Sequence, residues 1–291
     1  MLEKILIGTD FSPASDCLIG CVGELKALGL RRAVLAHIIY VANTPGLEDR
    51  IKVDAASDLE RQKLLLEEQG IEVTAELRLG LPARDLNILA EQHEVDAIVI
   101  SSRGHGLWRS LLGSVSFKLL QIADRPVFLA PVRVVGEGEH CQFSVCLKAF
   151  QNILVPIDFS KNSEKVVVYL EGLLSTFKAP VTLLHVIDAK FAEVNLSGRE
   201  LEEYRKRAAG LLDELQLRLQ AAGGLVEVEL VSGTPWEEIV KRTRDGRFSL
   251  VLMGSRGRGF FQEALLGSVA NEVSRHAEVP VILVPALRRD V

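Results

Sequence analysis

Ile5-Leu6-Ile7-Gly8-Thr9-Asp10-Phe11-Ser12 returns 148 positions later as Ile153-Leu154-Val155-Pro156-Ile157-Asp158-Phe159-Ser160. An apolar, β-branched run that stops at Asp-Phe-Ser reads as a strand, a loop and a helix start. Its recurrence means that the chain carries one unit twice. Outward from this anchor the match continues. Leu35-Ala36-His37-Ile38 corresponds to Leu183-Leu184-His185-Val186 at the same offset. At an offset of 153, Gly80-Leu81-Pro82 corresponds to Gly233-Thr234-Pro235, and Ser102-Arg103-Gly104 to Ser255-Arg256-Gly257. Leu111-Leu112-Gly113-Ser114-Val115 corresponds to Leu265-Leu266-Gly267-Ser268-Val269 at 154, an offset that Pro126-Val127 and Pro280-Val281 keep. The small drift leaves room for few insertions. A period of about 150 is a domain length rather than a solenoid repeat. The expected organisation is a first domain over 1–133, a linker over 134–149 that contains Gly136 and Gly138, and a second domain over 150–291.

Within each copy, short β-branched runs alternate with longer helical stretches. The runs are Ile5–Thr9, Ala33–Tyr40, Glu72–Leu79, Ala97–Ser101 and Val127–Ala130, then Ile153–Ile157, Val181–Ile187, Leu225–Val231, Leu250–Met253 and Val281–Val284. Near-continuous apolar strands between helices mean a parallel sheet covered on both faces. Each copy therefore reads as an open five-stranded α/β domain, its topology restricted by right-handed crossovers. Thr234-Pro235-Trp236-Glu237 carries an N-cap, a proline at N1 and a capping-box glutamate. Ser197-Gly198-Arg199-Glu200 has the same box spacing, ahead of a long helix ending at Gly223-Gly224.

The 291 residues are 48% hydrophobic and 25% charged, enough to bury a core and too apolar for disorder. A net charge of -5 argues against a whole-protein grip on nucleic acid. No apolar run reaches the roughly 18–20 residues of a membrane span, and the amino terminus enters a strand pattern without a leader. The expectation is a soluble cytoplasmic protein without nucleic-acid or membrane partners. The four cysteines form no disulfide framework on this reading. Cys17 and Cys21 read as buried thiols and Cys141 and Cys146 as linker thiols, with no metal site.

In open α/β sheets ligands bind beyond the carboxyl ends of the strands, where strand order reverses. Two segments stand out there: Asp10 or Asp158 directly after strand one, and the glycine-rich loop after strand four, Met253-Gly254-Ser255-Arg256-Gly257-Arg258-Gly259. Gly267-Ser268 then precedes a helix over Val269–His276, which Ser268 is placed to cap. Its free N–H groups suit phosphate. Each feature is also an ordinary loop or cap signal. Their coincidence at one end of the sheet, repeated, favours a nucleotide or phosphate site.

Gly254-x2-Gly257-x9-Gly267-Ser268 resembles the ATP-binding signature of the universal stress protein family. Ile153–Ser160, Leu183-Leu184-His185-Val186-Ile187-Asp188 and Pro280-Val281-Ile282-Leu283-Val284-Pro285 are similar to that family as well. The resemblance implies a tandem UspA-like protein of two domains with strand order 3-2-1-4-5. It implies a site for ATP, ADP or AMP in the second copy, with Mg²⁺ an admissible companion. Asp158 and the Val186 backbone hold the adenine end, and Gly254 and Gly257 the ribose–phosphate turn. Gly267, Ser268 and Val269 hold phosphate, while Pro156, Ser160, Met253 and Arg256 line the same pocket. Copy one departs from the signature. Ser101 replaces the first glycine, and the eight residues from His105 to Leu112 leave the loop one residue short. Asp10, Ser12, Ile38, Gly104, Gly113 and Ser114 then form a weaker second site.

No G-x4-G-K-[ST] P-loop, GxGxxG turn or Ser/His/Asp grouping is present. His37 and His185 lie in apolar strands and read as satisfied buried histidines. The leading expectation is a nucleotide-responsive stress-response binding module that acts through an unidentified protein partner. The alternatives are a slow ATP-hydrolysing or nucleotidyl-transferring enzyme on the same fold, and a scaffold with vestigial sites. The short apolar fifth strands followed by proline belong at sheet edges, which need cover. Pairing of the two domains within the chain is the expected remedy, and a homodimer is left open.

Overall fold

The computed structural model describes residues 2–40, 48–102, 112–131, 133–134, 141–142, 150–257 and 266–286. They fall into two compact units, within Met1–Leu147 and Lys148–Ala286.

Unit one runs β1 (Lys4–Gly8), α1 (Pro13–Cys21), a 3₁₀ segment (Val22–Leu28), β2 (Arg32–Tyr40), α2 (Glu48–Glu68) and β3 (Glu72–Gly80). It continues with α3 (Pro82–Gln92), β4 (Ala97–Ser101), α4 (Ser114–Ile122), β5 (Val127–Ala130) and an antiparallel pair, β6 (Arg133–Val134) with β7 (Cys141–Gln142). All the pairings among β1 to β5 are parallel, in the order β3-β2-β1-β4-β5. Unit two repeats this with β8 (Ile153–Pro156), α5 (Lys161–Leu174), β9 (Pro180–Asp188), α6 (Ala189–Asn195) and α7 (Gly198–Ala221). Then follow β10 (Leu225–Gly233), α8 (Pro235–Arg244), β11 (Leu250–Gly254), α9 (Ser268–His276) and β12 (Val281–Val284). Its parallel order is β10-β9-β8-β11-β12. The 3-2-1-4-5 order implied by the resemblance is the one observed.

The sequence pattern explains the layers. Ile5, Leu6 and Ile7 in β1, and Ile153, Leu154 and Val155 in β8, are fully buried because helices cover both faces of a central parallel strand. β3 and β10, outermost in their units, carry exposed positions along their length. Ser12 and Ser160 cap α1 and α5 by accepting from the N–H of Ser15 and Ser163. Ser197 and Glu200 close the expected capping box on α7, and Gly223 at φ +93 ends that helix. Among the described residues no helix is long and apolar enough to cross a membrane.

Three expectations are corrected. Thr234 is the N-cap of α8 and Pro235 its first residue, yet no side-chain cap bond forms there, so the box does not close. Gly267, not Ser268, caps α9; the serine is already helical. Cys17, read as a buried thiol, is half-buried and disulfide-bonded, whereas Cys21 keeps its thiol. A disulfide requires Cα atoms within about 7 Å, which is decided by tertiary neighbours and not by spacing along the chain. The pair of short strands in the 133–142 stretch was likewise absent from the linker reading, since two-residue strands leave no periodicity.

Candidate functional site at the carboxyl edge of unit two

Strand order reverses between β8 and β11, and the chain leaves both strands toward the same edge. After β8 the backbone is pinned by the Ile157 N–H, which donates to Leu184 O at 2.8 Å. The next residue is Asp158. Its Oδ1 accepts from the Ser160 N–H at 3.0 Å and from the Ser163 hydroxyl. Its own N–H donates to Ser163 Oγ at 3.2 Å. The carboxylate is thus oriented by an Asx-type turn at the start of α5, with Oδ2 toward the loop after β11. Between them Phe159 adopts φ +59, a left-handed conformation that costs a bulky residue about 1–3 kcal/mol. Unit one repeats the turn: Asp10 Oδ1 accepts from Ser12 N–H at 3.1 Å and Ser15 Oγ at 2.7 Å, and Phe11 is at φ +59.

After β11 the two described ends of the loop, Ser255–Gly257 and Leu266–Gly267, meet at the same edge. Ser255 N–H donates to Val284 O at 2.9 Å, and Gly267 N–H donates to Ser255 O at 2.8 Å. This closes the loop against the start of α9. The N-cap of α9 is a glycine, so among the described residues no side-chain cap bond forms at its start and the N–H groups of its first turn face the edge. α4 starts the same way: Gly113 is its N-cap, no side-chain cap bond forms there among the described residues, and Gly113 N–H donates to Ser102 O at 3.0 Å.

The glycines have an internal explanation. A Cβ on Gly257 would overlap Asp158 Oδ2, so the two loops meet there. A Cβ on Gly267 would lie 3.3 Å from both Arg256 Cα and Ser255 O. A Cβ on Gly254 would overlap the amide of Asn162. Asn162, 6% exposed, donates from Nδ2 to Arg256 O at 3.1 Å and to Val284 O at 3.5 Å, while its buried Oδ1 has no hydrogen-bond partner among the described residues. Copy one has the complementary pair, Ala14 and Ser101, each 7% exposed. Ala14 lacks the amide that a Cβ on Gly254 would meet in copy two, so Ser101 does not by itself dismantle the first site.

The structure brings Asp158, Ser160, Gly254, Arg256, Gly257, Gly267, Ser268 and Val269 to one edge. Pro156 ends β8, and Val186 lies in β9, two residues past the Leu184 that pairs with Pro156. Met253 is 5% exposed within β11, so its side chain belongs to the core. In unit one Asp10, Ser12, Gly113 and Ser114 occupy the equivalent places, and Ile38 is buried in β2. Gly104 lies outside the described residues, as do Arg258, Gly259 and the rest of that loop to Leu265.

Sequence reasoning missed Asn162 and Lys165. Lys165 follows Asn162 by three positions on α5, hence on the same face, and helical side chains lean toward the amino terminus, here toward the site. Burial and the nearby Arg256 guanidinium hold its ammonium below the usual lysine range. The available signal was the paired difference between copies: Ala14 and Cys17 stand where the second copy has Asn162 and Lys165. A groove of about 470 Å³ between α5 and α7 shares Phe159, Ser160 and Ser163 with the Asp158 turn, continues along Leu211 and Arg218, and is lined by none of the glycines.

Two doubly wound α/β units with matching loops at their switch points define the class, a tandem open-sheet protein. The universal stress protein family matches residues 1–131 and again 149–285, and the chain belongs to that family. A universal stress protein of Mycolicibacterium smegmatis is 28% identical over 297 residues, spanning 96% of each chain. One from Methanocaldococcus jannaschii is 31% identical over 153 residues, 46% of this chain and 94% of its own. The crystal structure of a universal stress protein from Archaeoglobus fulgidus shares the fold with a TM-score of 0.77 at 23% identity, covering 98% of this chain and 99% of that one.

Proposed function

We propose that unit two binds an adenine nucleotide and that the protein works as a nucleotide-responsive binding module. The observation that carries this reading is the meeting of the Asp158 carboxylate with the Gly257 backbone, beside the start of helix α9, whose N-cap is a glycine. Carboxylate oxygens accept from an exocyclic amine, which adenine offers and guanine replaces with a carbonyl. Helix N–H groups and the positive end of the α9 dipole suit phosphate. Arg256 and Lys165 add positive charge. Unit one, with the same Asp10 turn and the same open α4 start, is the weaker second site.

Asp158→Ala tests the base end. A hydrogen bond to a charged group contributes about 1.5–3 kcal/mol, so ATP affinity should fall at least about tenfold. GTP affinity should change little, narrowing the preference in calorimetry. An unchanged ATP/GTP ratio would falsify Asp158 as the adenine reader.

Lys165→Ala tests the phosphate end. One partly solvated charge contact is worth up to about 1 kcal/mol, so ATP binding should weaken about fivefold. AMP, with its shorter anion, should bind nearly as before. Equal losses for ATP and AMP would place Lys165 away from the phosphate chain.

A further inference from the structure

Both Asp-Phe-Ser turns are held by a histidine from the neighbouring strand. In unit two the His185 ring has Nδ1 at 2.6 Å from Ile157 O, the carbonyl just before Asp158. The same ring packs against Phe159, the residue just after Asp158, with centroids 4.6 Å apart. Tyr204 from α7 closes the far side, its hydroxyl 3.0 Å from His185 Nε2. A carbonyl only accepts, so Nδ1 carries a hydrogen directed at Ile157 O. In unit one His37 Nδ1 lies 2.8 Å from Thr9 O, and its ring stacks on Phe11 at 4.2 Å. Burial pushes the His37 pKa down, which keeps the imidazole neutral with one hydrogen to donate.

One ring therefore grips the chain on both sides of the aspartate. It also explains why a phenylalanine persists at φ +59 in both turns: the stack holds it there. The residue after His185 is Val186, so β9 carries the two side by side. We infer that His185 is a positioning residue for base selection: with Phe159 and Ile157 O it aims the Asp158 carboxylate, and His37 does the same for Asp10. This inference rests on the reading of Asp158 given above and adds a residue that touches no nucleotide itself.

The experiment measures calorimetric affinities of the full chain for ATP, GTP and inorganic tripolyphosphate. In His185→Phe the ring remains but the donor to Ile157 O is lost. ATP affinity should drop about tenfold, the scale of a misdirected charge-assisted hydrogen bond, with GTP and tripolyphosphate changed less than about twofold. His185→Asn, which returns an N–H near the Nδ1 position, should recover part of the ATP preference. Should His185→Phe fail to fold, Phe159→Leu breaks the same stack within the turn and should shift the ratio the same way. A parallel loss of all three ligands would mark a purely structural histidine and overturn the inference. An ATP preference that survives both variants overturns it too, while leaving Asp158 as the reader. No ATP preference in the unaltered protein overturns the reading of Asp158 and the brace with it.

Discussion

Gly257→Val should lower the affinity of unit two for ATP about a hundredfold, close to 2.7 kcal/mol. The new Cβ takes the place of Asp158 Oδ2. The carboxylate must turn away, and with it go its bonds to the Ser160 N–H and the Ser163 hydroxyl. The branched side chain also stands in front of backbone that a phosphate chain would approach. Both ends of the nucleotide suffer from one substitution, hence the size of the effect. Calorimetry with ATP reads it, and hydrogen exchange of β8 and β11 amides checks that the sheet persists. Retention of affinity within about threefold would show that this loop does not line the site.

Gly254→Ser should destabilise unit two by about 2 kcal/mol, the usual scale for forcing atoms into a filled space. The collision is with Asn162, whose amide ties α5 to the Arg256 and Val284 carbonyls. Asn162→Ala alone should cost about 1 kcal/mol through those lost bonds. Combined, the two changes recreate the Ala14–Ser101 pair of unit one, and the double variant should be more stable than Gly254→Ser alone. The coupling is read by hydrogen exchange of β11 and β12, because a single melting midpoint is ill-defined for two units. Simple additivity of the two losses would mean that the glycine and the asparagine are unrelated. The same measurement bears on unit one: if Ser101 is merely the partner of Ala14, its presence says nothing against a nucleotide there.

Most of the architecture was legible in the residues. Buried parallel strands must be apolar along their whole length, so runs such as Ile5–Ile7 and Ile153–Val155 identify themselves. Ser12 and Ser197 satisfy N–H groups a few residues away, so these caps were readable too. The switch-point edge followed from topology, and Asp158, Gly257 and Gly267 fell on it. What sequence alone determined is therefore local or periodic: strand runs, near-neighbour caps and a repeat that doubles every signal. Tertiary structure decided the rest. Gly254 looked like room for a ligand, and only the fold shows that Asn162, 92 positions earlier, fills that room. His185 looked like one buried histidine among apolar neighbours, yet its ring clasps a turn 28 positions away. The Cys17 disulfide and the Lys165–Arg256 proximity belong to the same class. Each depends on distances across the sheet or between helices. Such distances leave no period in a chain, because they are set by packing once the strands have paired.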